Sequence, residues 1–265
     1  MKKKSKKLEA PRHVLITGAA GAIGSAVARR MRAMWPSTRL ALLDRDASTT
    51  SALATELGNA STHAADLRDV ASLPNVVAQI EAHEPLDGLV NCAGVMWVRH
   101  VATWDWNDAE ALLAIDVLAP LRLQDLVVNA MVQRGARGVI VNISSMAGKV
   151  PLMGCAYYGA AKAGLAMASE IARADLAPHG IRVITVYPGP VKSPLEQGAR
   201  DAYGGGGMFG RFAPVGDPDE LATLIARAID NNEARVIYPK AYRVGWSATN
   251  AASWFALAYG PPPVT

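Results

Sequence analysis

His13-Val14-Leu15-Ile16-Thr17-Gly18-Ala19-Ala20-Gly21-Ala22-Ile23-Gly24 is a strand-forming apolar run that passes directly into three glycines, after which a helical pattern continues to Met34. Strand, glycine turn and helix in immediate succession make an anion site. Glycine lets the backbone turn tightly and approach a pyrophosphate, while the free N–H groups and positive end of the helix attract it. On its own the pattern also fits glycines that only cap a helix or ease its packing on a sheet. Outward from this turn, short β-rich runs recur at 39–43, 61–64, 88–91, 138–143, 181–187 and 235–238, with longer Ala-rich helical stretches between them. Such alternation predicts an α/β fold, a doubly wound parallel sheet of seven strands with helices on both faces. The clearest helix is expected from Tyr157 to about Ala177, ended by Pro178 and Gly180. A later one starts at Asp217, with Pro218 in its first turn and Glu220 three residues after the cap.

Composition narrows the function. The 265 residues are 51% apolar, enough for one substantial core, so residues 11–265 are read as one domain behind a flexible Lys-rich tail at 1–10. The net charge of +4 comes from that tail, which holds Lys2, Lys3, Lys4, Lys6 and Lys7. The remaining body has no basic excess, which argues against a nucleic-acid partner. Cys92 and Cys155 are too few for a disulfide framework, and the five histidines never fall at paired ligand spacing, so no metal site is readable. Apolar runs stop short of the ~18 residues a membrane span needs, which predicts a cytoplasmic protein. Residues 192–215, with Gly204 to Gly207, read as a substrate loop. Residues 243–265 gather Trp246, Trp254, Phe255 and Tyr259 and are expected to pack on the body or on a sister subunit, with membrane contact ranked below.

Three further positions carry chemistry. Asp44 ends the second strand twenty residues after Gly24, where a carboxylate accepts from both adenosine ribose hydroxyls and repels a 2′-phosphate. This favours NAD(H) over NADP(H), although Arg45, next in the chain, is placed to meet a phosphate if Asp44 turns away. Tyr158 and Lys162, four apart, share one face of the long helix. A phenol is a poor base at neutral pH, and lowering its pKa by ~3 units needs about 4 kcal/mol of preferential stabilisation of the phenolate. A nearby ammonium and an oxidised nicotinamide are the available sources. Ser144 and Ser145 sit at the carboxyl end of the fifth strand, the edge where ligands bind in open parallel sheets. A hydroxyl there can act as an oxyanion donor, although a serine pair at a strand end is more often a cap. Met96, Trp97, Met146, Met153, Met208, Phe209 and Phe212 suggest an apolar pocket, with ordinary packing as the even alternative.

Together these motifs resemble the short-chain dehydrogenase/reductase family in its compact branch, over about residues 14–191. The resemblance implies a Rossmann-type sheet of order 3-2-1-4-5-6-7. Asn91-Cys92-Ala93-Gly94 is similar to the family's Asn-Asn-Ala-Gly motif beside the adenosine, and Asp66-Leu67 to the segment that contacts adenine. Pro188-Gly189-Pro190-Val191 with Ser193 is similar to the segment beside the nicotinamide carboxamide. By the resemblance Gly18, Gly21, Ala22, Ile23, Gly24, Asp44, Arg45, Asp66, Leu67, Asn91, Ala93, Gly94, Tyr158, Lys162, Pro188, Gly189, Val191 and Ser193 bind cofactor. Ser145 orients substrate, Tyr158 is the acid/base, and Lys162 holds the nicotinamide ribose and lowers the tyrosine pKa. Two positions depart: Ala22 stands where the compact branch has glycine, and Asp116 where it has the asparagine of a catalytic tetrad. The implied function is reversible hydride transfer between NAD(H) and a lipophilic secondary alcohol or ketone, by a homodimer or homotetramer. A cofactor-binding regulator with little turnover is the alternative, and epimerisation or dehydration of a nucleotide sugar ranks last.

Overall fold

The structure is a computed structural model and describes residues 10–204 and 214–260. Seven strands, β1 (His13–Thr17), β2 (Arg39–Asp44), β3 (Ala60–Ala64), β4 (Gly88–Asn91), β5 (Gly138–Ile143), β6 (Ile181–Pro188) and β7 (Arg235–Tyr238), form one sheet in the order β3-β2-β1-β4-β5-β6-β7. Every neighbouring pair is parallel. The strand order reverses between β1 and β4, so their carboxyl ends flank a crevice where this topology binds ligands.

The strands are near-continuous apolar runs because both faces are covered. Val14, Ile16, Leu40, Leu42, Val141 and Ile184 face α1 (Ala22–Met34) and α8 (Pro218–Asn231), where Val27, Met31, Leu221 and Ile225 meet them. Leu15, Leu43, Leu89, Ile140 and Val183 face the other way, toward α3 (Leu73–Glu81) and α5 (Ala119–Gln133), with Leu73, Val77, Leu123 and Met131. Period-two alternation thus divides each strand between two cores. Each fully buried Leu or Ile contributes roughly 1.5–3 kcal/mol, which makes the sheet a stiff platform for its carboxyl edge. Two further helices complete the layers, α2 (Ala47–Leu57) and α4 (Trp106–Leu113), and α6 (Ala156–Leu176) lies along β5 and β6. Asp217 caps α8 through Asp219 N and Glu220 N, but Glu220 does not reach back in a capping box: its Oε2 accepts from the Tyr238 hydroxyl at 2.8 Å.

The C-terminal segment is described as far as Gly260. α9 (Tyr242–Ser247) and α10 (Thr249–Tyr259) contain no buried residue, and Trp254 is 64% exposed. Trp246 alone of the four aromatics packs on the sheet, edge-on to Tyr187 at 4.5 Å. α10 contacts α9. Of the substrate loop, α7 (Pro194–Ala202) is described, whereas Gly205 to Gly207, Met208, Phe209 and Phe212 lie outside the described residues, as does the Lys-rich tail before Ala10. Among the described residues no helix is long and apolar enough to cross a membrane, and no group of three metal-ligating side chains occurs.

His13, buried at the start of β1, meets the Glu84 carbonyl through Nδ1 at 2.8 Å, while Nε2 has no partner among the described residues. Burial pushes its pKa down, helped by Arg39 and opposed by the Glu84 carbonyl and by the Glu84 and Asp87 charges. The unfolded chain therefore takes up this proton first, and the associated stability is lost as pH falls below about 6.5. Thermal melts from pH 7.5 to 5 are expected to show a shallower acid loss in His13→Gln than in wild type; equal slopes would contradict this reading.

Candidate active site

The glycine turn is built by close approach. Thr17 Oγ1 accepts from Cys92 N and Ala93 N, both at 3.1 Å, and so ties the end of β4 to the end of β1. Gly18 has φ +62°, and a Cβ there would lie 2.7 Å from Ala93 Cα. A Cβ on Gly24 would lie 2.1 Å from the Gly18 carbonyl, so the first turn of α1 rests directly on the strand end. Gly21 caps α1 with no acid in the first turn, and the N–H groups of Ala22, Ile23 and Gly24 find no acceptor among the described residues. These orphan donors and the positive helix end face the crevice, and they fit a dinucleotide pyrophosphate. Ala22 occupies the first helical position with its side chain partly exposed; Ile23 packs on the core beside it.

Asp44 ends β2 with its carboxylate oriented by the turn: Oδ2 accepts from Ala20 N at 3.0 Å and Oδ1 from Arg45 N at 2.8 Å. Arg45 is exposed. Asp66 is engaged by Arg68, whose Nε lies 2.9 Å from Oδ2 and whose backbone N–H reaches Oδ1 at 3.0 Å. This arginine holds the Asp66 carboxyl below the usual range, the side-chain bond being the main cause. Leu67 turns into the core. Asn91 is internal: Nδ2 donates to the Pro120 carbonyl at 3.1 Å and to Asn142 Oδ1 at 2.9 Å. The chain of bonds continues from Asn142 to Gln124 and Ser169, and from Thr185 to Ser169.

The proton-handling residues gather at the carboxyl edge of β5. Ser144 Oγ donates to the Lys162 carbonyl at 2.8 Å, pinning α6 to the strand end. Ser145 Oγ accepts from Ala147 N at 3.1 Å and faces the Pro188 carbonyl at 3.5 Å. Its capping role and its place in the site therefore coexist. Tyr158 and Lys162 lie on the inner face of α6, only 8% and 4% exposed, with Lys162 Nζ 5.7 Å from the Tyr158 ring centre. Lys162 Nζ also lies 3.3 Å from the Ile143 carbonyl and 3.3 Å from Asp116 Oδ2. Gly94 leaves room for this ammonium: a Cβ there would sit 3.1 Å from it.

Asp116 is fully buried in a π turn, Ala114–Leu118, that joins α4 to α5. Its Oδ1 accepts from Val95 N at 2.8 Å, while Oδ2 meets Lys162 as an ion pair without the alignment of a hydrogen bond. Burial pushes the Asp116 carboxyl up, and Lys162 and the Val95 N–H pull against it. Burial alone would lower Lys162, but Asp116 and Tyr158 outweigh it and keep the ammonium charged. Tyr158 is pushed up, first by burial and then by the Asp116 charge, against Lys162 and the Ser145 hydroxyl. The expected low-pKa tyrosine is thus not a property of the chain alone, because burial disfavours the phenolate and the Asp116 charge offsets part of the ammonium's field.

An aromatic wall adjoins Tyr158. Trp104 stands edge-on to Trp97 at 6.3 Å and to Tyr157 at 4.9 Å. Met96 packs in the same cluster as Cys155 and Tyr158, and Met146 in the neighbouring one with Tyr187. Two residues escaped sequence reasoning. Tyr203, just after α7, donates to the Met153 carbonyl at 2.5 Å and touches Cys155 Sγ at 3.3 Å. Tyr242 lies across Gly189, where a Cβ would come within 2.7 Å of its ring. Val191 is buried beside the segment, and Ser193 caps α7 through Glu196 N at 3.1 Å.

Comparison with known proteins agrees with this geometry. The family model "short chain dehydrogenase" matches residues 12–204. The (3R)-3-hydroxyacyl-CoA dehydrogenase of Rattus norvegicus is 29% identical over 232 residues, covering 80% of this chain and 86% of the relative. The D-threitol dehydrogenase of Mycolicibacterium smegmatis is 33% identical over 218 residues, covering 78% and 82%. A solved short-chain dehydrogenase from Sphingobium yanoikuyae in complex with NADPH superposes with a TM-score of 0.77 at 28% identity, over 94% of this chain and 96% of its own. The chain belongs to the short-chain dehydrogenase/reductase family, the NAD(P)-dependent oxidoreductases that act on CH–OH groups.

Proposed function

We propose that this enzyme transfers hydride reversibly between NAD(H) and a lipophilic secondary alcohol or its ketone, with Tyr158 as acid/base. The observation that carries the reading is the convergence of Ser145, Tyr158 and Lys162 at one strand edge, facing a glycine turn shaped for a pyrophosphate. The dinucleotide is held by Gly18, Gly21, Ala22, Ile23 and Gly24, by the 91–94 segment and by Pro188, Gly189, Val191 and Ser193. When bound, its nicotinamide supplies the hydride acceptor or donor. In oxidation the Tyr158 phenolate takes the hydroxyl proton; in reduction the phenol returns it. Ser145 steadies the substrate oxygen as its charge changes. Lys162 supplies the positive charge that favours phenolate and donates to the ribose, and Asp116 sets how much of that charge Tyr158 feels. The Trp97, Trp104 and Tyr157 wall supports an apolar substrate.

Preference for NAD(H) rests on Asp44, whose carboxylate is oriented at the end of β2 and would meet a 2′-phosphate with like charge. The solved relative that binds NADPH makes this the point to test. Titration followed by nicotinamide fluorescence is expected to give tighter NADH than NADPH binding in wild type, and Asp44→Ala is expected to weaken NADH several-fold and narrow the gap. Tighter NADPH binding in wild type would sink the preference. We place the enzyme in the cytoplasm as a homodimer or homotetramer. The exposed Met167 and Ile171 on α6, with Leu118 beside the π turn, support a partner surface there.

A further inference from the structure

A cleft of about 680 Å3 lies at the amino ends of β5 and β6, at the opposite end of the sheet from Ser145 and Tyr158. Its volume is in the range of small-molecule sites. Four arginines line it, Arg12, Arg137, Arg173 and Arg182, against one carboxylate, Asp87. That carboxylate is already committed to the start of β1: it accepts from Arg12 N at 2.8 Å, from His13 N at 2.9 Å and from Arg12 Nε at 3.3 Å.

The plainest account of arginines here is that they cap carbonyls. It holds for Arg173, which donates to the Val183 carbonyl at 2.8 Å, and for Arg182, which donates to that of Ile229. A carbonyl dipole satisfies a donor without cancelling a charge, so both guanidiniums remain net positive and keep N–H groups in hand. Arg137 is not explained this way, having no hydrogen bond or ion pair among the described residues. Its Nε lies where a Cβ on Gly180 would be 3.0 Å away, which sets the side chain against the cleft wall. Burial lowers the Arg182 pKa, and the Arg137 charge lowers it further, against Asp230 and Asp87. Both guanidiniums line the same cleft, with Asp87, bound to Arg12 and His13, as its one carboxylate.

We propose that this cleft binds a small polyanion carrying phosphate groups, gripped between Arg137 and Arg182 with Arg12 and Arg173 completing the site. Guanidinium forks match phosphate oxygens two at a time. Four guanidiniums against one committed carboxylate leave an excess of positive charge, which attracts an anion more strongly the more charge it carries. The proposal is separate from the dehydrogenase reading and does not rest on it.

The test is calorimetric titration with inorganic pyrophosphate of the full-length protein already saturated with NADH or NADPH, which fills the glycine turn. Wild type is expected to bind, more weakly as chloride is raised, and Arg137→Gln is expected to lose at least about tenfold in affinity. Because Arg137 has no hydrogen bond or ion pair among the described residues, the variant's melting temperature without pyrophosphate should match wild type. No binding in the wild type, binding that disappears on cofactor saturation, or equal affinity in the variant each overturns the proposal.

Discussion

Tyr158→Phe is expected to lower turnover by about three orders of magnitude while leaving cofactor affinity within a factor of about three. The substitution removes one oxygen and keeps the ring that fills the space among Leu112, Ala147 and Cys155, so the buried cluster loses little packing. On the proposed mechanism it removes the group that exchanges a proton with the substrate oxygen. Water cannot easily replace it, since the side chain is 8% exposed and the nearest ionisable groups, Lys162 and Asp116, are held in their own ion pair. Parallel measurement of kcat and of cofactor binding separates this from a folding defect. A variant that retained more than about a tenth of wild-type turnover would remove Tyr158 from the chemistry.

Asp116→Asn is expected to move the pH profile of alcohol oxidation toward acid. Asparagine keeps the oxygen that accepts from Val95 N, so the π turn stays intact, but the carboxylate charge beside Lys162 is lost. The sign follows from Asp116 raising the Tyr158 pKa. Its removal lets the Lys162 charge act on the phenol alone, the phenolate forms at lower pH, and oxidation near neutral pH rises by about tenfold or more. The reduction profile, which needs the phenol, loses its alkaline limb earlier. Rate profiles in both directions would show this as a common shift; an unmoved profile would make the carboxylate a structural spectator.

Local patterns were legible in the sequence to the degree that their physics is local. The glycine turn, Asp44 at the second strand end and the Tyr158–Lys162 spacing each depend on a handful of consecutive residues, and each meets the sheet edge where that spacing predicts. The π turn was not legible, because one residue of extra winding leaves no periodic trace. That turn carries Asp116 to 3.3 Å from the ammonium, where its charge adds to the burial that raises the tyrosine pKa. Long-range pairings were equally hidden: Tyr203 on the Met153 carbonyl spans fifty residues, and the Asn91–Asn142 bond joins two strands that no composition rule couples. The apolar C-terminal run predicted burial, yet α10 is exposed in this single chain, where hydrophobicity alone did not say what would cover it.

The most direct measurement is absorbance of reduced nicotinamide when the protein, saturated with NAD+, is offered a panel of cyclic and long-chain secondary alcohols, with short polyols for contrast. Reduced cofactor is predicted with the apolar alcohols in wild type, little with the polyols, and none above background in Tyr158→Phe. Bound cofactor with no hydride transfer from any alcohol, or equal rates in wild type and variant, would contradict the account.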